Sequence, residues 1–185
     1  EGTSRHGDYC YIGLAHELLV VSLKKPDAPE IVRRIDKSAL GLARDPGKET
    51  IPNVQLDVVD NRLLCVGQYG ILVLDVSDPE RPKTILYRTF SPSEGYNART
   101  EIRAATLAGD FVYVSRYSGI EVYDLEGNLV GQRRATPLEQ LSGRLPQQLR
   151  VQDGKLFEAA GSFGVLVYSL ADPAVAFRKF GCPAL

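Results

Sequence analysis

Residues 63–82 read LLCVGQYGILVLDVSDPERP and contain two apolar runs, each followed by a turn. The first run, residues 63–66, leads into a turn that ends at Gly70. The second run, residues 71–76, leads into a turn built on Asp78 and Pro79. Short apolar runs between glycine and proline punctuation are typical of antiparallel strands. The stretch therefore predicts two neighbouring strands of one sheet.

The same pattern recurs along the chain. Residues 9–35, 53–89, 101–134 and 147–180 align with one another, and the marker glycines Gly70, Gly119 and Gly164 are spaced by 49 and then 45 residues. Four short strands in a repeat of this length are the signature of a propeller blade. A β-sandwich gives no reason for one turn chemistry to recur, and solenoid repeats are usually shorter. The sequence therefore predicts an all-β propeller of four-stranded antiparallel blades.

We expect residues 1–185 to form a single propeller or partial propeller domain, with blades at approximately residues 5–35, 53–90, 101–134 and 147–180. The first repeat has no obvious innermost strand, because only residues 2–6 precede its second strand. The chain begins with Glu1 and has no Met, which suggests a removed leader or a piece of something larger. Propellers more often have six to eight blades, and an open blade exposes unpaired strand groups and an apolar face. We therefore expect further copies or another chain to complete the ring.

The second repeat resembles the LVIVD repeat, a bacterial and archaeal family of propeller-forming units. The matching residues are Gly70, Leu72, Leu74, Asp75, Val76, Ser77, Asp78, Pro79 and Pro82. The fourth repeat keeps most of this pattern but has Ser169 in place of the aspartate, and the first has Glu17 in place of the glycine. This resemblance implies an exported protein, periplasmic, extracellular or on the cell surface, and it implies no particular chemistry.

Composition and charge exclude several classes of function. The net charge is −1, so the chain lacks the concentrated basic charge that nucleic acids and anionic membranes attract. No apolar run is long enough to span a bilayer, so we expect no membrane insertion. No glycine-rich phosphate loop is present, and the only histidines are His6 and His16. We therefore predict no cofactor and no metal site within this chain.

The cysteines and the recurrent aspartates favour structural roles. Cys10 and Cys65 fall within predicted strands as buried thiols, whereas a disulfide involving Cys182 stays open. Asp60, Asp110 and Asp153 recur in one hairpin turn, and Asp75 and Asp124 recur at one strand end. Aspartates in such places accept hydrogen bonds from nearby backbone N–H groups. Metal binding or acid–base catalysis is the alternative for them.

The dissimilar parts of the repeats are the candidates for recognition. The connectors at residues 36–52, 91–100 and 135–146 are long, and they emerge on the same propeller face as the loops between second and third strands. Aromatic and arginine side chains on a rigid scaffold make good binding anchors. The candidates on this face are Arg116, Tyr96, Tyr117, Tyr69, Phe163, Arg99, Arg44 and His16.

Two objections divide these candidates. Tyr69, Tyr117 and Phe163 occupy one repeated position, so packing between blades explains them as well as binding does. His16 is equally explained as an ordinary turn histidine. Arg116 and Tyr96 are not repeated, and they are the stronger candidates.

The sequence favours a protein-interaction or scaffold propeller that is not an enzyme and binds a protein partner through the connector face. Two alternatives are open. An enzyme or small-ligand propeller would bring buried carboxylates or a metal to the central channel. A structural subunit of a larger propeller would instead bury its first and last blades against another chain.

Overall fold

The computed structural model describes residues 2–14, 17–36, 55–67, 70–90, 102–134, 148–161, 164–170 and 179–181. Within these ranges the chain forms four antiparallel sheets, each made of four strands in sequence order. The first sheet contains β1 (Gly2–His6), β2 (Tyr9–Gly13), β3 (Glu17–Ser22) and β4 (Glu30–Asp36). The second contains β5 (Gln55–Val59), β6 (Arg62–Val66), β7 (Gly70–Asp75) and β8 (Lys83–Thr89).

The last two sheets repeat this arrangement. The third contains β9 (Ile102–Ala108), β10 (Phe111–Arg116), β11 (Gly119–Asp124) and β12 (Leu129–Arg134). The fourth contains β13 (Gln148–Gln152), β14 (Lys155–Ala159), β15 (Val165–Ser169) and β16 (Lys179–Gly181). The predicted four-stranded antiparallel repeat is therefore confirmed. One expectation was wrong: residues 2–6 do form the first strand of the first repeat, paired along their whole length with β2.

The turn between the first and second strands begins with a left-handed residue in all four sheets. Its first residue has a φ between 49° and 56°, and the four residues are Gly7, Asp60, Gly109 and Asp153. Glycine and aspartate tolerate this left-handed region better than other residues, which explains why the same turn chemistry recurs. The turn is also tied to the end of the third strand, as in the hydrogen bond from Val76 N to Asn61 O (2.8 Å).

The aspartates at the ends of the third strands confirm the prediction that they serve turn structure. The backbone N–H of Ser77 donates to Asp75 Oδ1 over 2.9 Å, and that of Asn128 donates to Asp124 Oδ1 over 2.7 Å. The Asn128 amide adds a second bond to Asp124 Oδ2 (2.8 Å). Donors aimed at a carboxylate favour its charged form, so the pKa of Asp75 and of Asp124 lies below the ordinary value.

The chain divides into two compact units, residues 1–89 and residues 90–185, each of which contains two sheets. In the first unit β1 lies beside β5, and Gly2 makes this close approach possible, since a Cβ there would lie 3.1 Å from the backbone N of Leu56. The core between its two sheets is apolar, with Tyr11, Leu18, Val20, Leu63, Cys65, Leu72 and Leu74 among its members.

The second unit has its own core, with β9 beside β13. The core residues include Ala104, Tyr113, Ile120, Val122, Leu149, Leu156, Leu166 and Tyr168. Cys65 is buried and Cys10 is half-buried; both lie in strands and both are thiols, as the sequence predicted. Cys182 lies outside the described residues.

Candidate functional site

The second unit places the ends of its long connectors along one edge of its sheets. In the third sheet, Arg116 at the end of β10 is paired with Ile102 at the start of β9. Gly119 at the start of β11 is paired with Arg134 at the end of β12. The β10–β11 turn, Tyr117 and Ser118, therefore lies at the edge where the chain enters and leaves the sheet. We call residues 102, 116–119 and 134 the connector edge.

The opposite edge of the third sheet has only short turns, whose backbones are tied to the strands. One example is the β11–β12 turn, where Asp124 N donates to Asn128 O (3.0 Å) and Gly127 N donates to Asp124 O (3.1 Å). Such turns leave little freedom for variation. Sequence differences between the repeats therefore concentrate at the connector edge, where a rigid sheet presents dissimilar segments.

Arg116 is held in place at this edge by Glu121 and Phe90, and both of these residues contact Tyr123. Its Nη2 lies 3.1 Å from Glu121 Oε2, and its guanidinium lies 4.0 Å from the centre of the Phe90 ring. The Tyr123 hydroxyl donates to the same Glu121 Oε2 over 2.6 Å, and the Phe90 and Tyr123 rings are 5.4 Å apart. The Arg116 side chain is only 11% exposed, so this cluster fixes the geometry of the connector edge.

The other predicted binding residues divide between described and undescribed parts of the chain. Tyr117 lies half-buried in the β10–β11 turn, next to Arg116 as the sequence implies. The remaining six lie outside the described residues, and they are Tyr96, Tyr69, Phe163, Arg99, Arg44 and His16. A binding role for any of the eight residues stays a prediction.

A buried polar cluster lies between the third and fourth sheets of the second unit, on the face of β10 opposite to the Arg116 side chain. The hydroxyl of Ser115 on β10 donates to Glu158 Oε1 over 2.6 Å. The hydroxyl of Tyr168 on β15 donates to Glu158 Oε2 over 2.9 Å. All three side chains are completely buried. A carboxyl group in such a place is tolerated only where hydrogen bonds replace those it made to water.

This cluster replaces apolar packing that the first unit keeps. Glu158 occupies the same position in the second strand of its sheet as Cys65 does in the second sheet. Glu158 is paired with Leu149 and Leu166 on the two neighbouring strands, and Cys65 is paired with Leu56 and Leu72. By the same pairing, Ser115 corresponds to Gly13 and Tyr168 to Leu74. The first unit therefore has neither a carboxyl nor a hydroxyl group at these positions. Glu158 was not among the residues predicted from the sequence, although its alignment with Cys65 marks it as a polar residue at a core position.

The chemistry of the cluster is that of a structural contact. Glu158 lies on the second strand of its sheet, and the Ser115 and Tyr168 hydroxyls that donate to it are as completely buried as it is. Arg133 adds its guanidinium 5.4 Å from the centre of the Tyr168 ring. Within the described residues, no three His, Cys, Asp or Glu side chains are grouped closely enough to hold a metal ion. The cluster therefore joins the two sheets just inside the connector edge.

Comparison with known proteins shows the fold. No protein-family model matches the chain, and no curated protein matches it either. Among solved structures, the computationally designed Ika4 protein is similar, with a TM-score of 0.60 and 15% identity over 91% of this chain and 89% of that one. Apo AztD from Citrobacter koseri has a TM-score of 0.61 and 18% identity over 97% of this chain. The Cps50 (Swd1) β-propeller domain from Myceliophteria thermophila has a TM-score of 0.64 and 11% identity over 98% of it.

The share of each neighbour that is matched differs widely. This chain spans 89% of Ika4, but only 45% of AztD and 57% of the Cps50 domain. Identities this low show the fold and leave the activity open. Together with the four four-stranded antiparallel sheets, they establish that this chain has a β-propeller fold of four blades and matches about half of several larger propellers.

Proposed function

We propose that this chain is a protein-interaction module that binds a protein partner through the connector edge of its blades. The observation that supports this most directly is the contrast between the two edges of the third sheet. One edge has short turns of fixed conformation, and the other receives the long dissimilar connectors beside Arg116 and Tyr117. Propellers host unrelated activities, so the assignment depends on this edge and not on the fold.

The connector edge has the rigidity that a recognition surface needs. Arg116 is clamped by Glu121 and Phe90, and on the opposite face of β10 a hydrogen bond from Ser115 to Glu158 ties the third and fourth sheets together. Because these side chains are already fixed, binding of a partner would immobilise few of them. The entropic cost of association is therefore lower. Tyr117, Tyr96 and Arg99 would supply contact area in such a complex.

An exported or cell-surface location is the second part of the proposal. It rests on the resemblance of the second repeat to LVIVD propeller units. The described residues contain no helix that is long and apolar enough to cross a bilayer. The third part is that further blades, from copies of this chain or from another chain, complete a larger ring; the chain's 45% share of AztD supports it.

The binding proposal is tested by truncating the connector edge. We expect Tyr117→Ala, and Tyr96→Ala separately, to reduce recovery of the partner that cross-links to the wild-type chain in its source cells by about tenfold, as expected for an interface anchor. Glu126→Ala, an exposed side chain in the opposite β11–β12 turn, is the matched control and should leave recovery unchanged. Equal recovery from all of the variants would refute binding through this edge.

A further inference from the structure

The first sheet has an apolar face that points away from the core of its unit. Strand pairing puts Cys10, Ile12, Leu19 and Val21 on one side of this sheet, opposite Tyr11, Leu18 and Val20, which belong to the core. Cys10 and Ile12 are half-buried and give this face its exposed part, whereas Leu19 and Val21 are buried. We call these four residues the first terminal face.

The fourth sheet has a matching face on its far side. Strand pairing puts Phe157, Ala159, Val165 and Val167 opposite the core residues Leu156, Leu166 and Tyr168. Val165 is 47% exposed, and the other three are half-buried. We call these four residues the second terminal face. Exposed polar residues border it along β13 and at the start of β14, namely Gln148, Arg150, Gln152 and Lys155.

Both faces have the composition of a blade-stacking surface. The inward faces of the same two sheets are equally apolar, and they are buried against a neighbouring sheet within each unit. An apolar strip ringed by polar residues and left partly in water marks a surface built for a partner. What each terminal face lacks is therefore one more blade.

We propose that the second terminal face of one chain packs against the first terminal face of a second copy, so that two chains close one larger propeller. This inference rests on the proposal that further blades complete the ring. A second copy supplies what is missing, because each chain offers one face of each kind and both junctions form at once by two-fold symmetry. Length agrees with this occupant, since one chain spans 46% of Ika8 and 45% of AztD.

The packing of β1 on β5 predicts one specific contact at the new junction. In the first unit Gly2 lies beside Leu56, and we infer from this spacing that Ser4 lies beside Val58 two residues further along. By strand pairing, Arg150 is the equivalent of Ser4, and Arg5 is the equivalent of Val58. Arg150 of one copy should therefore lie beside Arg5 of the other. Two guanidinium groups repel each other there, so the dimer should tighten as salt screens them.

The test is the mass of the native species in solution, measured by sedimentation velocity over a range of chain concentrations. We expect the wild-type chain to sediment with twice its 20.3 kDa mass and Val165→Glu to sediment with the mass of one chain. Leu129→Glu is the matched control: Leu129 is 49% exposed but lies on the outer strand β12, so its substitution should leave the dimer intact. Circular dichroism checks that each variant is folded.

A charge reversal gives a second readout that does not depend on an apolar residue. Arg150→Glu should lower the dissociation constant of the dimer about threefold to tenfold at low salt, because it replaces a repulsion with an ion pair. A wild-type chain that stays monomeric at all concentrations, a Val165→Glu dimer, or an Arg150→Glu dimer weaker than wild type would each overturn the inference. None of these results would bear on binding at the connector edge, which Tyr117→Ala tests separately.

Discussion

Replacing Tyr168 with phenylalanine removes one hydroxyl from the buried cluster and leaves the ring in place. The lost contact is the 2.9 Å hydrogen bond to Glu158 Oε2, and both side chains are completely buried. Removing one partner of a buried hydrogen bond leaves the other group desolvated, which costs about 1–3 kcal/mol. We therefore expect Tyr168→Phe to lower the free energy of unfolding by about 2 kcal/mol.

Tyr123→Phe is the matched control for this measurement. It removes a tyrosine hydroxyl that also donates to a glutamate, Glu121 Oε2, over 2.6 Å. Glu121 is half-buried and is paired with Arg116, so water can replace the lost donor. The expected loss is about 0.5–1 kcal/mol, in the range of an ordinary net hydrogen bond.

Urea unfolding followed by far-ultraviolet circular dichroism measures both variants without depending on tyrosine emission. The dependence of the unfolding free energy on urea concentration must have the same slope in each variant as in the wild type. A changed slope would indicate that the two units no longer unfold in one transition, and the free energies could not then be compared. A loss for Tyr168→Phe no larger than that for Tyr123→Phe would show that the buried hydrogen bond between Tyr168 and Glu158, within the fourth sheet, contributes no more than the half-buried one.

Three further predictions concern buried polarity and pH. Glu158→Leu alone should destabilise the chain more than the triple variant that adds Ser115→Ala and Tyr168→Phe, because the single change removes the carboxyl that accepts from two buried hydroxyls. Urea unfolding compares the two variants, and a triple variant less stable than the single one would contradict this prediction. The pKa of Tyr11 is raised to about 12, mainly by burial, so the hydroxyl loses its proton at a higher pH in the folded state than in the unfolded state. The free energy of unfolding should therefore fall as pH rises from about 10 to 12. Absorbance at 295 nm should show one fewer late-titrating tyrosine in Tyr11→Phe, and an unchanged titration would refute this prediction. The pKa of Asp124 is lowered, first by its hydrogen bond with the Asn128 side chain. The resulting stabilisation of the folded state is present above about pH 4 and is lost as pH falls through the folded-state pKa. The difference in unfolding free energy between wild type and Asp124→Asn should therefore shrink from pH 7 to pH 2, and a constant difference would exclude this contribution.

Local pattern determined the repeat and the turns. Alternation and punctuation in residues 63–82 predicted a third strand and a turn closed by Asp75, because a strand with two buried faces and an Asp-Pro turn impose their own spacing on the sequence. The turn residues were equally readable, since Asp60 and Asp153 occupy a left-handed conformation that few residue types accept. The first strand, residues 2–6, was missed because its GTSRH sequence has almost no apolar signal; pairing with β2 forms it.

Tertiary structure alone decided how Arg116 and Glu158 are used. Arg116 was predicted from its place in a loop, but its ion pair to Glu121 and its stacking on Phe90 follow from the register of β11 and the path of the chain after β8. Glu158 meets Ser115 across 43 residues of sequence, on the adjoining sheet. The alternation of residues along a strand predicts which side of its own sheet a residue occupies. It does not state which residue of the next sheet lies opposite, because that depends on how the blades stack.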